Sequence, residues 1–142
     1  NNFEKEDILS VNFKFESGLL GNFLITDSGT SPWAWETGTK ENIHLPHLSE
    51  NNLRIIGTDG SLEFPNLIIW KYKIGGKNWK NELEKVYIKC ESVDPYILQI
   101  KHFADVICRK VKPITDASEG KQNLKVALSI LESSKKNCIV KI

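Results

Sequence analysis

Methionine is absent from the chain, and cysteine is scarce: Cys90, Cys108 and Cys138 are odd in number and far apart. That spacing excludes a zinc knuckle, a vicinal redox pair and a disulfide framework. The three are expected to be buried or half-buried thiols in a reducing cytosol, so a cytoplasmic location is the expectation. Charge of one sign is also lacking, since 19 basic residues face 18 acidic ones, and this gives no electrostatic case for a nucleic-acid partner. No apolar run is long enough to span a bilayer and no signal peptide is visible, so no membrane partner is expected. The glycines are not arranged as a Gly-x-Gly-x-x-Gly turn between strand and helix. Phosphate-loop, nucleophile-elbow and His-Glu-x-x-His patterns are missing as well. Neither a metal site nor a cofactor site is expected in these residues. A chain that opens on Asn1-Asn2-Phe3 without methionine is expected to be part of a longer product.

A length of 142 residues, 40% of them hydrophobic and 26% charged, fits one globular domain over residues 1–142. Such a length supports a core without disulfides or a structural metal. Ile8 to Glu16 alternates apolar and polar, and Leu19 to Thr26 runs back after Ser17-Gly18, which predicts a hairpin. Both faces of the second segment are apolar, as in a more central strand. Asp27 to Asn52 lacks periodicity and reads as a long loop. Leu53 to Phe64 predicts a second hairpin with Asp59-Gly60 at a tip that needs positive φ. Leu67 to Tyr72 predicts a short strand, the stretch from Gly75-Gly76 to Glu82 a loop, and Leu83 to Cys90 another strand.

The period then changes. Asp94-Pro95 is a helix start, with Tyr96, Ile100, Phe103 and Ile107 on one stripe and a stop before Pro113. Asp116 caps a second helix whose buried stripe is Leu124, Ala127, Leu128 and Leu131, with Asn137 as its C-terminal cap. Cys138 to Ile142 predicts a closing strand. Strands first and helices after give an α+β class: an open, largely antiparallel β-sheet with two C-terminal helices packed on one face. The other face is available to a second copy of the chain, so homo-oligomerisation through the open sheet is expected.

Candidate ligand-binding residues cluster in the long loop. Ser31-Pro32-Trp33-Ala34-Trp35-Glu36 places two indoles beside a carboxylate. Indole faces pack on the apolar faces of sugar rings, while a carboxylate accepts hydroxyl hydrogen bonds. The same tryptophans equally suit anchoring the loop or filling a subunit interface. Asp27, at the mouth of the loop, and His44, within it, complete the candidate substrate-binding set of Trp33, Trp35, Glu36, Asp27 and His44. His47 and His102 read as packing residues. The lysines between Lys71 and Lys80 read as a solvated face.

Four stretches in order carry a resemblance. Arg54 to Pro65 is similar to a strand–turn–strand signature of the Gfo/Idh/MocA oxidoreductases, the family of glucose–fructose oxidoreductase and inositol dehydrogenase. Phe15-Glu16-Ser17-Gly18 to Gly21 resembles its first hairpin. Gln99 to Pro113 resembles its helix end, with Lys110 where glycine is common. Glu119-Gly120 to Ser134 resembles its final helix. The resemblance implies the C-terminal domain of an enzyme that moves a hydride between NAD or NADP and a sugar, polyol or related hydroxyl compound. It also implies that the dinucleotide-binding domain and the catalytic residues lie outside this chain, leaving no catalytic residue here. A non-catalytic binding or oligomerisation module of the same fold, and an unrelated α+β ligand carrier, are the competing readings.

Overall fold

Register and capping, more than burial, define the elements in the computed structural model of the chain, which describes residues 7–73, 76–91 and 93–142. Among the described residues six strands, all antiparallel, and three helices follow in the order β1 (Ile8–Lys14), β2 (Leu20–Thr26), α1 (Trp35–Thr39), β3 (Leu53–Ile56), β4 (Ser61–Phe64), β5 (Ile68–Tyr72), β6 (Leu83–Tyr87), α2 (Pro95–Ile107) and α3 (Ala117–Lys136). The class is α+β, as the change of period requires. The strands divide between a two-stranded sheet, β1-β2, and a four-stranded sheet, β3-β4-β5-β6. The chain divides into two units, residues 1–29 with 102–142 and residues 30–101, with the boundary inside α2.

In the first unit, Gly18 sits at φ 88, where an L side chain is disfavoured, and the hairpin closes through Phe15 N–H to Leu19 O at 2.9 Å. The register puts Phe13 opposite Gly21 and Val11 opposite Phe23, so Phe13 and Phe23 meet edge to face at 5.5 Å. On the opposite face Asn22 donates to Asn12 at 2.7 Å, a cross-strand amide pair in the same register. β2 is not central: β1 is its one partner among the described residues, and Leu24 stands 73% exposed.

Both long helices start where a side chain satisfies orphan N–H groups. Asp94 accepts from Tyr96 N–H at 2.8 Å, and Asp116 accepts from Ser118 and Glu119 N–H. His102 Nε2 accepts the Ile114 N–H at 3.2 Å, which fixes the neutral ring with its proton on Nδ1 and ties α2 to the following turn. Asn137 ends α3 at φ 49. The expected closing strand does not form. Cys138 N–H turns back to Ser133 O and the Ser133 hydroxyl donates to Cys138 O, so the tail is spent capping the helix.

In the second unit, the ladders place Leu53, Ile55, Leu62, Phe64, Ile69 and Val86 on one face of the sheet. Arg54, Ile56, Glu63, Trp70, Tyr72, Lys85 and Tyr87 lie on the other. The lysines are paired across strands, Lys71 with Glu84 and Lys73 with Glu82, while Lys85 lies 4.5 Å over the Trp70 ring. The β3–β4 tip closes through Gly57 N–H to Gly60 O, and neither Asp59 nor Gly60 has positive φ, contrary to the expectation from the Asp-Gly pair. Gly60 is required for space: a Cβ there would lie 2.7 Å from the Trp70 carbonyl oxygen. The expected loop beginning at Gly75 starts on a residue outside those described.

Among the described residues no hydrophobic side chain is fully buried. Of the stripes expected to be covered, Tyr96, Ile100, Phe103 and Ile107 in α2 and Leu124, Ala127 and Leu128 in α3 are exposed, with Phe103 at 64%, while Leu131 is half-buried. The three cysteines, expected to be at least half-buried, are exposed too, because no closed core forms around them.

Two outcomes follow at the β3–β4 tip. Gly60→Ala forces β4 away from β5 and lowers stability by about 1–3 kcal/mol in chemical denaturation, with an unchanged denaturation curve contradicting the close approach. Lys77 bonds Asp59 at 2.6 Å, and that hydrogen bond, then the charge of its ammonium, holds the Asp59 carboxyl below its ordinary 3.8. A carboxyl lowered in the folded state adds stability above its unfolded pKa that is lost as pH falls through the folded value. Carboxyl NMR titration of Lys77→Ala is expected to return Asp59 toward 3.8.

Candidate functional site

The expected loop from Asp27 to Asn52 contains a helical turn. α1 begins after Ala34, the Thr37 hydroxyl donates back to Ala34 O, and Lys40 ends the helix at φ 61. Glycine is what lets this turn lie low. Gly38 is buried, and a Cβ there would approach Glu50 O at 3.1 Å and Pro65 Cγ at 3.3 Å.

Polar bonds clasp the rest of the loop to the β4–β5 turn. Asn52 N–H donates to Phe64 O, Asn51 Nδ2 to Glu63 at 2.8 Å, Asn66 N–H to Asn51 Oδ1, and Asn66 Nδ2 to Ser49 O. Leu48 N–H and His47 Nδ1 both reach Thr37 O, and Ser49 Oγ meets His47 Nε2 at 3.3 Å. A carbonyl can only accept, so the neutral His47 ring carries its proton on Nδ1. His47 is thereby a structural strut. Among the described residues the Thr39 hydroxyl and the Asn52 side-chain amide are buried with no hydrogen-bond partner.

This scaffold fixes Trp35. Its ring lies 4.9 Å from that of Phe64, tilted by 31°, and its Nε1 donates to Glu41 Oε2 at 3.2 Å. Trp35, Glu36, Glu41, Asn42, Pro95 and Tyr96 together line a hollow of about 230 Å³. The volume is below the usual range for drug-sized ligands and suits one small ring. Trp35 and Tyr96 supply aromatic surface, Glu36 and Glu41 supply acceptors, and Asn42 adds an amide whose oxygen takes the His44 N–H at 3.0 Å. A second hollow of about 140 Å³ lies at the β3–β4 tip against Trp70 and Tyr72.

Of the five residues singled out in the sequence, Trp35 and Glu36 line the larger hollow. Trp33 does not; its N–H donates to Ser31 Oγ and its ring is exposed. His44 is exposed outside the lining, and Asp27 belongs to the other unit, where its N–H donates to Asp7 O. Glu41, Asn42 and Tyr96 were not identifiable from local pattern. Tyr96 reads from periodicity as a stripe residue, and Glu41 and Asn42 stand in an aperiodic polar stretch.

Among the described residues no group of three or more His, Cys, Asp or Glu side chains is placed to hold a metal ion, and no helix is long and apolar enough to cross a membrane. No family model, curated protein or solved structure matches the chain.

Trp35→Ala removes both the Phe64 contact and the Glu41 bond. It is expected to lower stability by about 2 kcal/mol, with Trp35→Phe retaining most of that, as read by denaturant midpoints. Equal losses in the two variants would contradict a ring-stacking role.

Proposed function

We propose that the chain is the substrate-binding and assembly domain of an NAD- or NADP-dependent oxidoreductase of the Gfo/Idh/MocA type, acting on a sugar, polyol or related hydroxyl compound. The observation that carries the substrate half is the Trp35 hollow: a ring held in place on Phe64, a phenol in the same lining, and carboxylates that accept hydroxyl hydrogen bonds. Flat apolar ring faces and a fringe of hydroxyls are what such a surface recognises. The four-motif resemblance supports the redox class.

The residues present do not fit a dinucleotide. Gly18 and Gly21 are spent in the β1–β2 hairpin, and no described strand leads through glycines into a helix N-terminus. The chain's part is therefore to bind and orient the hydroxyl compound, with hydride transfer assigned to a cofactor held by another domain.

The assembly half rests on the exposed apolar stripes. Leu20 and Leu24 on β2, Phe103 on α2 and Leu124 on α3 are all exposed, and exposed apolar surface is what an interaction site offers. The same stripes favour the second reading, a non-catalytic binding or oligomerisation module.

Titration of the isotope-labelled chain with glucose and myo-inositol, followed by NMR, tests the substrate reading. Millimolar additions are expected to shift the Trp35 indole N–H and the Tyr96 amide, while NAD or NADP alone leaves the spectrum unchanged. No sugar response at high millimolar concentration, or a saturable response to the dinucleotide, overturns it.

A further inference from the structure

Charge within the Trp35 hollow narrows the ligand further than shape does. Its six lining residues include two carboxylates, Glu36 and Glu41, and no lysine, arginine or histidine. Glu41 has one bond, from the Trp35 indole, and this leaves the rest of its acceptor capacity free. Glu36 makes no hydrogen bond or ion pair among the described residues. Asp94, outside the lining, is engaged by the Tyr96 N–H. Lys40, next to Glu41 in sequence, is outside the lining. A neutral polyol would leave this negative field unanswered, and an acidic sugar or a sugar phosphate would be repelled by it. A protonated amine answers it, and the aromatic walls of Trp35 and Tyr96 favour the same ligand because ring faces attract cations.

We infer that the hollow takes a cationic hydroxylated ring, an amino sugar or amino polyol, with its ammonium group at Glu36 and Glu41 and its apolar face on Trp35. This rests on the reading of the hollow as a polyol site and names the substrate class within it. The unbonded Glu36 is the specificity residue, since Glu41 is already oriented by the indole.

The test compares glucosamine, glucose and glucuronate in NMR titrations of the whole chain at about pH 6, where the amine is protonated. Glucosamine is expected to bind roughly three- to tenfold more tightly than glucose, as exposed ion pairs allow, and glucuronate not to bind. The preference should shrink as salt is raised. Glu36→Gln, a conservative change at an exposed position, is expected to remove the preference, so that glucosamine and glucose bind the variant equally. Equal binding of glucose and glucosamine, or a preference that survives in Glu36→Gln, overturns the inference and leaves the polyol site standing. Binding of none of the three overturns both.

Discussion

The constraint on which everything else depends is the lack, among the described residues, of a closed hydrophobic core. Burial of apolar surface is ordinarily the dominant favourable term in folding. Here the described residues bury no hydrophobic side chain completely, and Ile56 and Leu24 stand more than two-thirds exposed. Local order is therefore carried by directional interactions. Antiparallel ladders hold the strands, Asp94 and Asp116 start the helices, and the Asn12–Asn22 and Lys–Glu pairs add cross-strand links to the ladders. Each contributes on the order of 1 kcal/mol or less, so none replaces a core.

The candidate site is the exception that this economy allows. Its rigidity comes from a dense polar clasp rather than from depth. Asn51, Asn52 and Asn66 bind the loop to the β4–β5 turn, His47 braces Thr37, and Gly38 lets α1 settle against Pro65. Trp35 then has a single seat, between Phe64 and Glu41. A ring fixed before any ligand arrives loses little entropy on binding, which is how a shallow hollow can still discriminate.

Local chemistry made much of the fold legible in advance. The caps at Asp94, Asp116 and Asn137, the turn at Gly18 and the alternation through Val11 and Phe13 report directly on their own neighbourhoods, and the structure has them where the sequence places them. What failed depended on distant partners. The Cys138–Ile142 strand needed a neighbour to pair with, and Ser133 captured the segment instead. The central place expected for β2 rested on its two apolar faces, yet apolar faces report what seeks cover without naming the cover. Asp59-Gly60 was read as a demand for positive φ, when the requirement on Gly60 is room beside Trp70. In the site, Trp35 and Glu36 stood out by residue type. Glu41, Asn42 and Tyr96 join them only through folding of the loop, because no periodic pattern links position 41 to position 96.

We propose that the exposed stripes are completed by a second copy of the chain, which makes stability inseparable from association. The most direct measurement is the thermal midpoint as a function of protein concentration. Association-linked folding predicts a midpoint that climbs by several degrees over a hundredfold rise in concentration. A sharp, cooperative transition whose midpoint does not move with concentration would contradict it.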